Sequence, residues 1–337
     1  MTTLVTGAAG FIGMHLAERL LAAGEAVIGI DNLNAYYDPK LKQDRLARLL
    51  PHRNFTFKRV EIADPAAMKA LFTEHRIRRI VHLAAQAGVR HSFNAPQDYI
   101  DANITGFLNV LEMCRHHGIE HLIYASSSSV YGANSKLPFS EHDSANHPVS
   151  LYAATKRANE LMAHTYSHLF GFPVSGLRFF TAYGPWGRPD MSLFLFTKAI
   201  LQGDPIQIFN HGDMQRDFTF VDDIVEGVVR LLPIVPVARP GFQTSDPAAS
   251  HAPFRVYNIG NNNPVPLMRF IEVLEQALGR EAIKIMKPMQ PGDVQATYAD
   301  INDLNAVTGF APRTSIEEGI ARFVAWYRAY YQVPAST

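Results

Sequence analysis

"LVTGAAGFIG", Leu4 to Gly13, decides how this chain folds. A short apolar run enters a turn built on Gly7, Gly10 and Gly13 and passes directly into an amphipathic stretch. Glycine at the first position permits a tight reversal, the second lets an anion approach the start of a helix, and the third lets helix and strand pack closely. The spacing is G-x-x-G-x-x-G rather than G-x-G-x-x-G, so the surrounding chain has to carry the reading.

Working outward, apolar runs at 3–6, 26–30, 55–60, 79–84, 121–126 and 173–179 read as strands. Between them 11–23, 39–50, 64–75, 96–117 and 150–170 read as helices, with Asp64-Pro65 as an N-cap followed by proline at the first helical position. Such alternation predicts a parallel sheet covered on both faces. The second strand ends in Asp31, 18 residues after Gly13, where a carboxylate accepts hydrogen bonds from an adenosine ribose and repels a 2′-phosphate. The expected cofactor is therefore NAD rather than NADP.

The second half is less regular. Helices are predicted at 191–202, 221–232, 265–279 and 315–331, with strands near 206–209 and 256–259. The fold class expected is α/β: a Rossmann-type doubly wound parallel sheet over 1–180, and a smaller mixed α/β substrate region over 181–337 with some chain crossing back. The proline-rich 233–253 segment reads as a surface loop. In 337 residues, Lys+Arg and Asp+Glu both number 31, which argues against a nucleic-acid or membrane-surface partner. One cysteine, Cys114, allows no intrachain disulfide and suggests a reducing compartment. With no signal peptide recognisable after Met1 and no apolar run of roughly 18 residues, a cytoplasmic location is expected.

"SLYAATK" sets Tyr152 and Lys156 four residues apart, on one helix face. A lysine one turn away is expected to lower the phenol's pKa and make it a usable proton carrier. Upstream, "YASSSSVYG" (124–132) places four serines at the end of a strand. Ser126 is as well explained by strand-end carbonyls as by a ligand. His164 and His168, at i and i+4, have no evident third ligand, so no metal is expected. Asp222 and Asp223 read as helix caps and Cys114 as core.

In order, "TGAAGFIG", "DNLN", "HLAA", "SSSSVYG", "YAATK" and "RDFTFVDD" resemble the extended short-chain dehydrogenase/reductases, over nearly the whole chain. The resemblance implies that Ser127 works with Tyr152 and Lys156. It implies NAD contacts at Gly7, Gly10, Phe11, Ile12, Gly13, Asp31, Asn32, Leu83, Ala84, Ala85 and Asn103. Glu61 stands where many relatives have aspartate beside the adenine, while Ile62 offers a backbone and apolar contact. Family members that dehydrate or decarboxylate nucleotide sugars resemble "TDEVYG" or "TSEVYG"; here Ser128 and Ser129 replace the acids and supply no general acid or base.

"GPWGRPDM" (184–191) resembles the UDP-glucuronate 4-epimerases. That implies reversible C4 epimerisation of UDP-glucuronate to UDP-galacturonate through a 4-keto sugar with transient NADH. Ser128, Ser129, Thr181 and Arg188 then suit the hexuronate, Arg188 having the diphosphate or an ion pair with Asp190 as alternatives. Arg216 matches a diphosphate-binding arginine, Phe209 is a candidate for stacking on uracil, and Asp293 resembles a ribose-binding residue. The rival functions are UDP-glucose/UDP-galactose epimerisation, UDP-glucuronate decarboxylation and a non-catalytic NAD sensor. Family analogy suggests a homodimer through 96–117 and 150–170.

Overall fold

The computed structural model describes residues 1–242, 246–290 and 292–334. Its centre is a seven-stranded sheet. In chain order the strands are β1 (Thr2–Thr6), β2 (Ala26–Asp31), β3 (Phe55–Arg59), β4 (Arg79–His82), β5 (His121–Ser127), β6 (Val174–Phe179) and, after a long excursion, β10 (Phe254–Ile259). Their spatial order is β10-β6-β5-β4-β1-β2-β3, and every pairing is parallel. Strand order reverses between β1 and β4, which opens a crevice at their carboxyl ends.

Burial explains the apolar runs. In β6 every residue is buried, as a strand covered on both faces requires, whereas no residue of edge strand β3 is fully buried. Neighbours Leu4 and Val5 enter cores on opposite faces of the sheet. Helices α1 (Phe11–Ala22), α2 (Pro39–Leu49), α3 (Pro65–Glu74) and α7 (Leu151–Phe170) match the expected spans closely. Asp64 caps α3 as predicted, its Oδ1 accepting from the Ala66 and Ala67 amides at 2.9 and 3.1 Å.

The single helix expected over 96–117 is instead three pieces, α5 (Pro96–Tyr99), a π-helical turn (Ile100–Thr105) and α6 (Gly106–His117), preceded by a short helix α4 (His91–Asn94). Packing explains the break. A Cβ on Gly106 would lie 2.7 Å from Ile62, and in the widened turn the Asn103 carbonyl accepts from Asn159 Nδ2 at 2.6 Å.

Downstream, helices α8 (Ser192–Gln202), α9 (Val221–Leu231), α10 (Leu267–Leu278) and α12 (Ile316–Tyr331) agree with expectation. The pattern missed α11 (Asn302–Thr308) and several strands. β7 (Thr181–Tyr183), β9 (Gln215–Phe220) and β11 (Pro264–Pro266) form a three-stranded sheet, and β8 (Ile206–Ile208) pairs with β12 (Lys284–Met286). Most are three residues long, too short to show a period. Asp222 and Asp223 sit in the first turn of α9 but do not cap it. Asp223 accepts from the Arg313 and Thr314 amides, and Asp222 pairs with Arg322. The described part of 233–253 carries no helix or strand; residues 243–245 of that segment lie outside the described residues.

Candidate active site

The glycine turn is a backbone cradle. Gly7 has φ +71°, and a Cβ there would lie 2.9 Å from the Ala84 amide nitrogen of the neighbouring strand's loop. A Cβ on Gly13 would fall 2.0 Å from the Gly7 carbonyl oxygen. Gly10 opens α1 without a side-chain cap, and Phe11, Ile12 and Gly13 line the cleft beyond it. The first amides of α1 are thus left to a ligand, and the helix dipole favours an anion there. These features fit the pyrophosphate of a dinucleotide.

Asp31 ends β2 in the same cleft. It accepts from the Ala9 amide at 3.2 Å and the Leu33 amide at 2.8 Å, one through each oxygen, which leaves acceptor capacity on both. Burial nevertheless pushes its pKa up against those bonds. Asn32 gives its Nδ2 to Glu61 at 2.7 Å, so these two neighbours form one unit. Ile62 lines the wall, but its carbonyl already accepts from Asn109. Leu83, Ala84 and Ala85 also line it, and the Leu83 and Ala84 amides are held by Thr6 Oγ1 at 3.1 and 3.0 Å.

Asn103 departs from expectation. It is buried behind the cleft, exchanging hydrogen bonds with the backbone of Gln86 at 2.9 and 3.0 Å, and it is Gln86 that reaches the wall.

The serines divide. Ser126 Oγ donates to Glu160 Oε1 at 2.6 Å, so its partner is a carboxylate rather than a strand-end carbonyl. Glu160 is itself gripped by Arg178 at 2.8 and 2.9 Å and by Arg157 at 2.6 Å. Burial raises the Glu160 pKa, but those partners outweigh it and hold the group ionised below the cleft floor. Ser127 caps the 3₁₀ turn Ser128–Tyr131 and accepts from the Ser129 amide at 3.2 Å and the Ser129 hydroxyl at 2.9 Å. Ser127, Ser128 and Ser129 all line the cleft, and its carboxylates, Asp31, Glu61 and Asp293, come from other segments.

Across from them stands Tyr152, in the first turn of α7, whose start is fixed by the Ser150 side chain. The Tyr152 phenol and the Ser127 hydroxyl line the same cleft, and Ser127 acts on the phenol. Burial raises its pKa; the Ser127 hydroxyl and the positive charge of Arg188 oppose that rise. Lys156 lines the same cleft as Tyr152. The lysine is buried, donates to the Ala125 carbonyl at 2.9 Å, and has its pKa pushed down to about 8 by desolvation. Arg188 is one source of positive charge acting on the phenol.

Thr181, Arg188, Arg216 and Asp293 line the remainder of the cleft. Arg188 forms a two-pronged pair with Asp190, the alternative that the sequence left open, while still facing the cleft. Arg216 donates to the Gln215 and Gln295 carbonyls at 2.8 and 3.1 Å. Phe209 is not part of the lining: Arg90 stacks on its ring at 5.0 Å and pairs with Asp293 at 3.3 Å. Sequence reasoning missed Tyr36, Lys42, Gly88, Phe139 and Met191, which also line the cleft. The only local signal was the unusual "NAYYD" (34–38) after Asp31. His168 meets His251 at 2.8 Å, and among the described residues no three His, Cys, Asp or Glu side chains are grouped to hold a metal ion.

Comparison with known proteins agrees with this geometry. The model of the NAD dependent epimerase/dehydratase family matches residues 3–240. The chain is 54% identical to "Protein CapI" of Staphylococcus aureus over 98% of this chain and 100% of that protein. It is 49% identical to a "Probable UDP-glucuronate 4-epimerase" of Rhizobium meliloti over 98% of each. Among solved structures, the UDP-glucuronic acid 4-epimerase of Bacillus cereus in complex with UDP-glucuronic acid and NAD superposes with a TM-score of 0.88. That protein is 33% identical, over 98% of this chain and 100% of the other. A glycine cradle, a carboxylate ending β2 and a Ser–Tyr–Lys set on one cleft, with a matching family model over most of the chain, place the protein in the NAD dependent epimerase/dehydratase family.

Proposed function

We propose that the protein interconverts UDP-glucuronate and UDP-galacturonate by inverting C4 of the sugar. The observation that carries this is the 127–129 turn. A Ser127–Tyr152 hydroxyl pair lies beside two further serines and across a cleft from an arginine, where dehydrating and decarboxylating relatives would carry an acid. NAD, when bound in the glycine cradle, supplies the redox chemistry at C4.

The chain's own residues do the rest. Tyr152 takes the proton from O4 and later returns it, and the neighbouring Ser127 hydroxyl orients the phenol and steadies the oxygen. Lys156 draws the Ala125 carbonyl and holds the β5–α7 junction, and its charge, kept at neutral pH by a pKa of about 8, favours the phenolate through the site's field. Arg188 adds a second positive charge. After oxidation the sugar is a β-keto acid, which readily loses CO₂. Ser128, Ser129, Thr181 and Arg188 hold the carboxylate so that its C–C bond stays out of line with the ketone π system. Arg216 receives the diphosphate and Asp293 the ribose, so that the keto sugar can turn over while the nucleotide stays anchored.

The assembly is a homodimer in this reading, and its location the cytoplasm. Leu108 on α6 and Leu161 on α7 remain 39% and 56% exposed on helices that pack together, which supports a partner there. Cys114, the only cysteine, is buried and unpaired, and no described helix is long and apolar enough to cross a membrane.

Incubation with UDP-glucuronate, with products separated by chromatography, tests the function. UDP-galacturonate as the main product is expected. UDP-pentose as the main product, or turnover of UDP-glucose alone, refutes it.

A further inference from the structure

Arg188 presents only part of itself to the cleft. Its Nε donates to Asp190 Oδ1 at 3.0 Å, and its Nη2 donates to Asp190 Oδ2 at 2.5 Å and to the Ala87 carbonyl at 3.4 Å. Nη1 makes no hydrogen bond with any described residue. The Tyr36 hydroxyl donates to the same Asp190 Oδ2 at 3.0 Å, so the carboxylate is held from both sides. Pro189 separates the two partners and restricts the backbone between them.

The pocket around the pair has no slack. Gly88 has φ +112°, and a Cβ there would lie 2.9 Å from the Tyr36 hydroxyl and 3.5 Å from Arg188 Nη2. A guanidinium offers paired N–H edges to a carboxylate. Asp190 occupies the Nε–Nη2 edge, which leaves Nη1 for anything in the cleft. Its negative charge also offsets part of the charge that an incoming anion would feel.

We propose that Asp190, braced by Tyr36, is a positioning residue that limits how tightly Arg188 grips the substrate carboxylate. The inference rests on the uronate reading above. Its physical sense lies in the turning of the keto sugar. A full-strength grip stabilises the bound ground states but not the turning state, so it would lower KM and slow turnover together. An arginine whose charge is already half spent lets the carboxylate go.

The test compares the NAD-loaded native protein with Asp190→Asn. KM and kcat are measured with UDP-glucuronate, and Kd is measured for UDP-glucose and UDP by displacement. Removal of one nearby negative charge is expected to lower KM for UDP-glucuronate about tenfold and to lower kcat. Kd for UDP-glucose and for UDP stays within about twofold, because neither carries a sugar carboxylate. Asp190→Glu restores the charge and brings KM back to within about threefold of native. Asp190→Ser, neutral and smaller, gives the same direction as Asp190→Asn should the amide prevent folding.

A KM for UDP-glucuronate that stays constant or rises in the neutral variants, with UDP binding intact, overturns the proposal. So does a parallel shift of both sugars, which would mark Asp190 as a loop brace. A native protein that turns over UDP-glucose but not UDP-glucuronate fails earlier, at the substrate reading itself.

Discussion

Replacing Glu141 by Gln should remove a pH dependence of stability that the native protein carries. Glu141 is 1% exposed, and its two oxygens accept from the Asn258 amide at 3.2 Å and from Asn258 Nδ2 at 3.0 Å. Burial pushes its pKa from 4.5 to about 7, and the nearby Asp303 and Asp300 add to the rise against those bonds. The folded protein therefore holds a proton that the unfolded chain has lost. This contribution to stability is fully present below about pH 4.5 and disappears as the pH rises through about 7.

At roughly 1.4 kcal/mol for each pH unit, the whole effect is about 3 kcal/mol. Between about pH 5 and pH 8 it amounts to about 2.5 kcal/mol. Glutamine is neutral throughout, so the difference in unfolding free energy between variant and native should shift by that amount in the variant's favour. Urea unfolding of both proteins at several pH values, at matched ionic strength, measures it. Subtracting the two curves cancels the other titrating groups. A difference that stays within about 0.5 kcal/mol over that range would refute the buried-acid reasoning.

Tyr152→Phe keeps the ring, which meets Tyr99 edge-on at 6.0 Å, and removes only the hydroxyl. Epimerisation should fall about 100- to 10,000-fold, while the NAD content of the purified protein, read by absorbance, is unchanged. Gly13→Ala puts a methyl group 2.0 Å from the Gly7 carbonyl; it should cost about 3 kcal/mol in thermal or urea unfolding and abolish NAD binding. Ser129→Ala removes a hydroxyl that donates to Ser127 at 2.9 Å and faces the cleft. KM for UDP-glucuronate should rise about tenfold, the loss of one hydrogen bond to a charged group, and the share of UDP-pentose among the products should rise with it.

What could be read from the chain was what depends on neighbours in sequence. The glycine turn, the carboxylate ending β2, the Asp64 cap and the Tyr152–Lys156 spacing are local. Their φ angles, periods and helix faces follow from a few consecutive residues, and the parallel sheet follows from their alternation. The serine run was legible as far as its chemistry: hydroxyls stand where acids would divert a ketone.

Which hydroxyl does which work was decided only by the tertiary fold. Ser126 turns to Glu160, 34 residues away, and so belongs to the floor. Asn103 is drawn behind the wall by Gln86 and Asn159, and the Phe209 ring is covered by Arg90. Lys156 donates to the Ala125 carbonyl, and Arg188, whose charge also acts on the phenol, is paired with Asp190, to which Tyr36 donates as well. The identity of a charged or amide side chain says how strongly it must be satisfied. Only the folded chain determines which partner, distant in sequence, comes close enough to satisfy it.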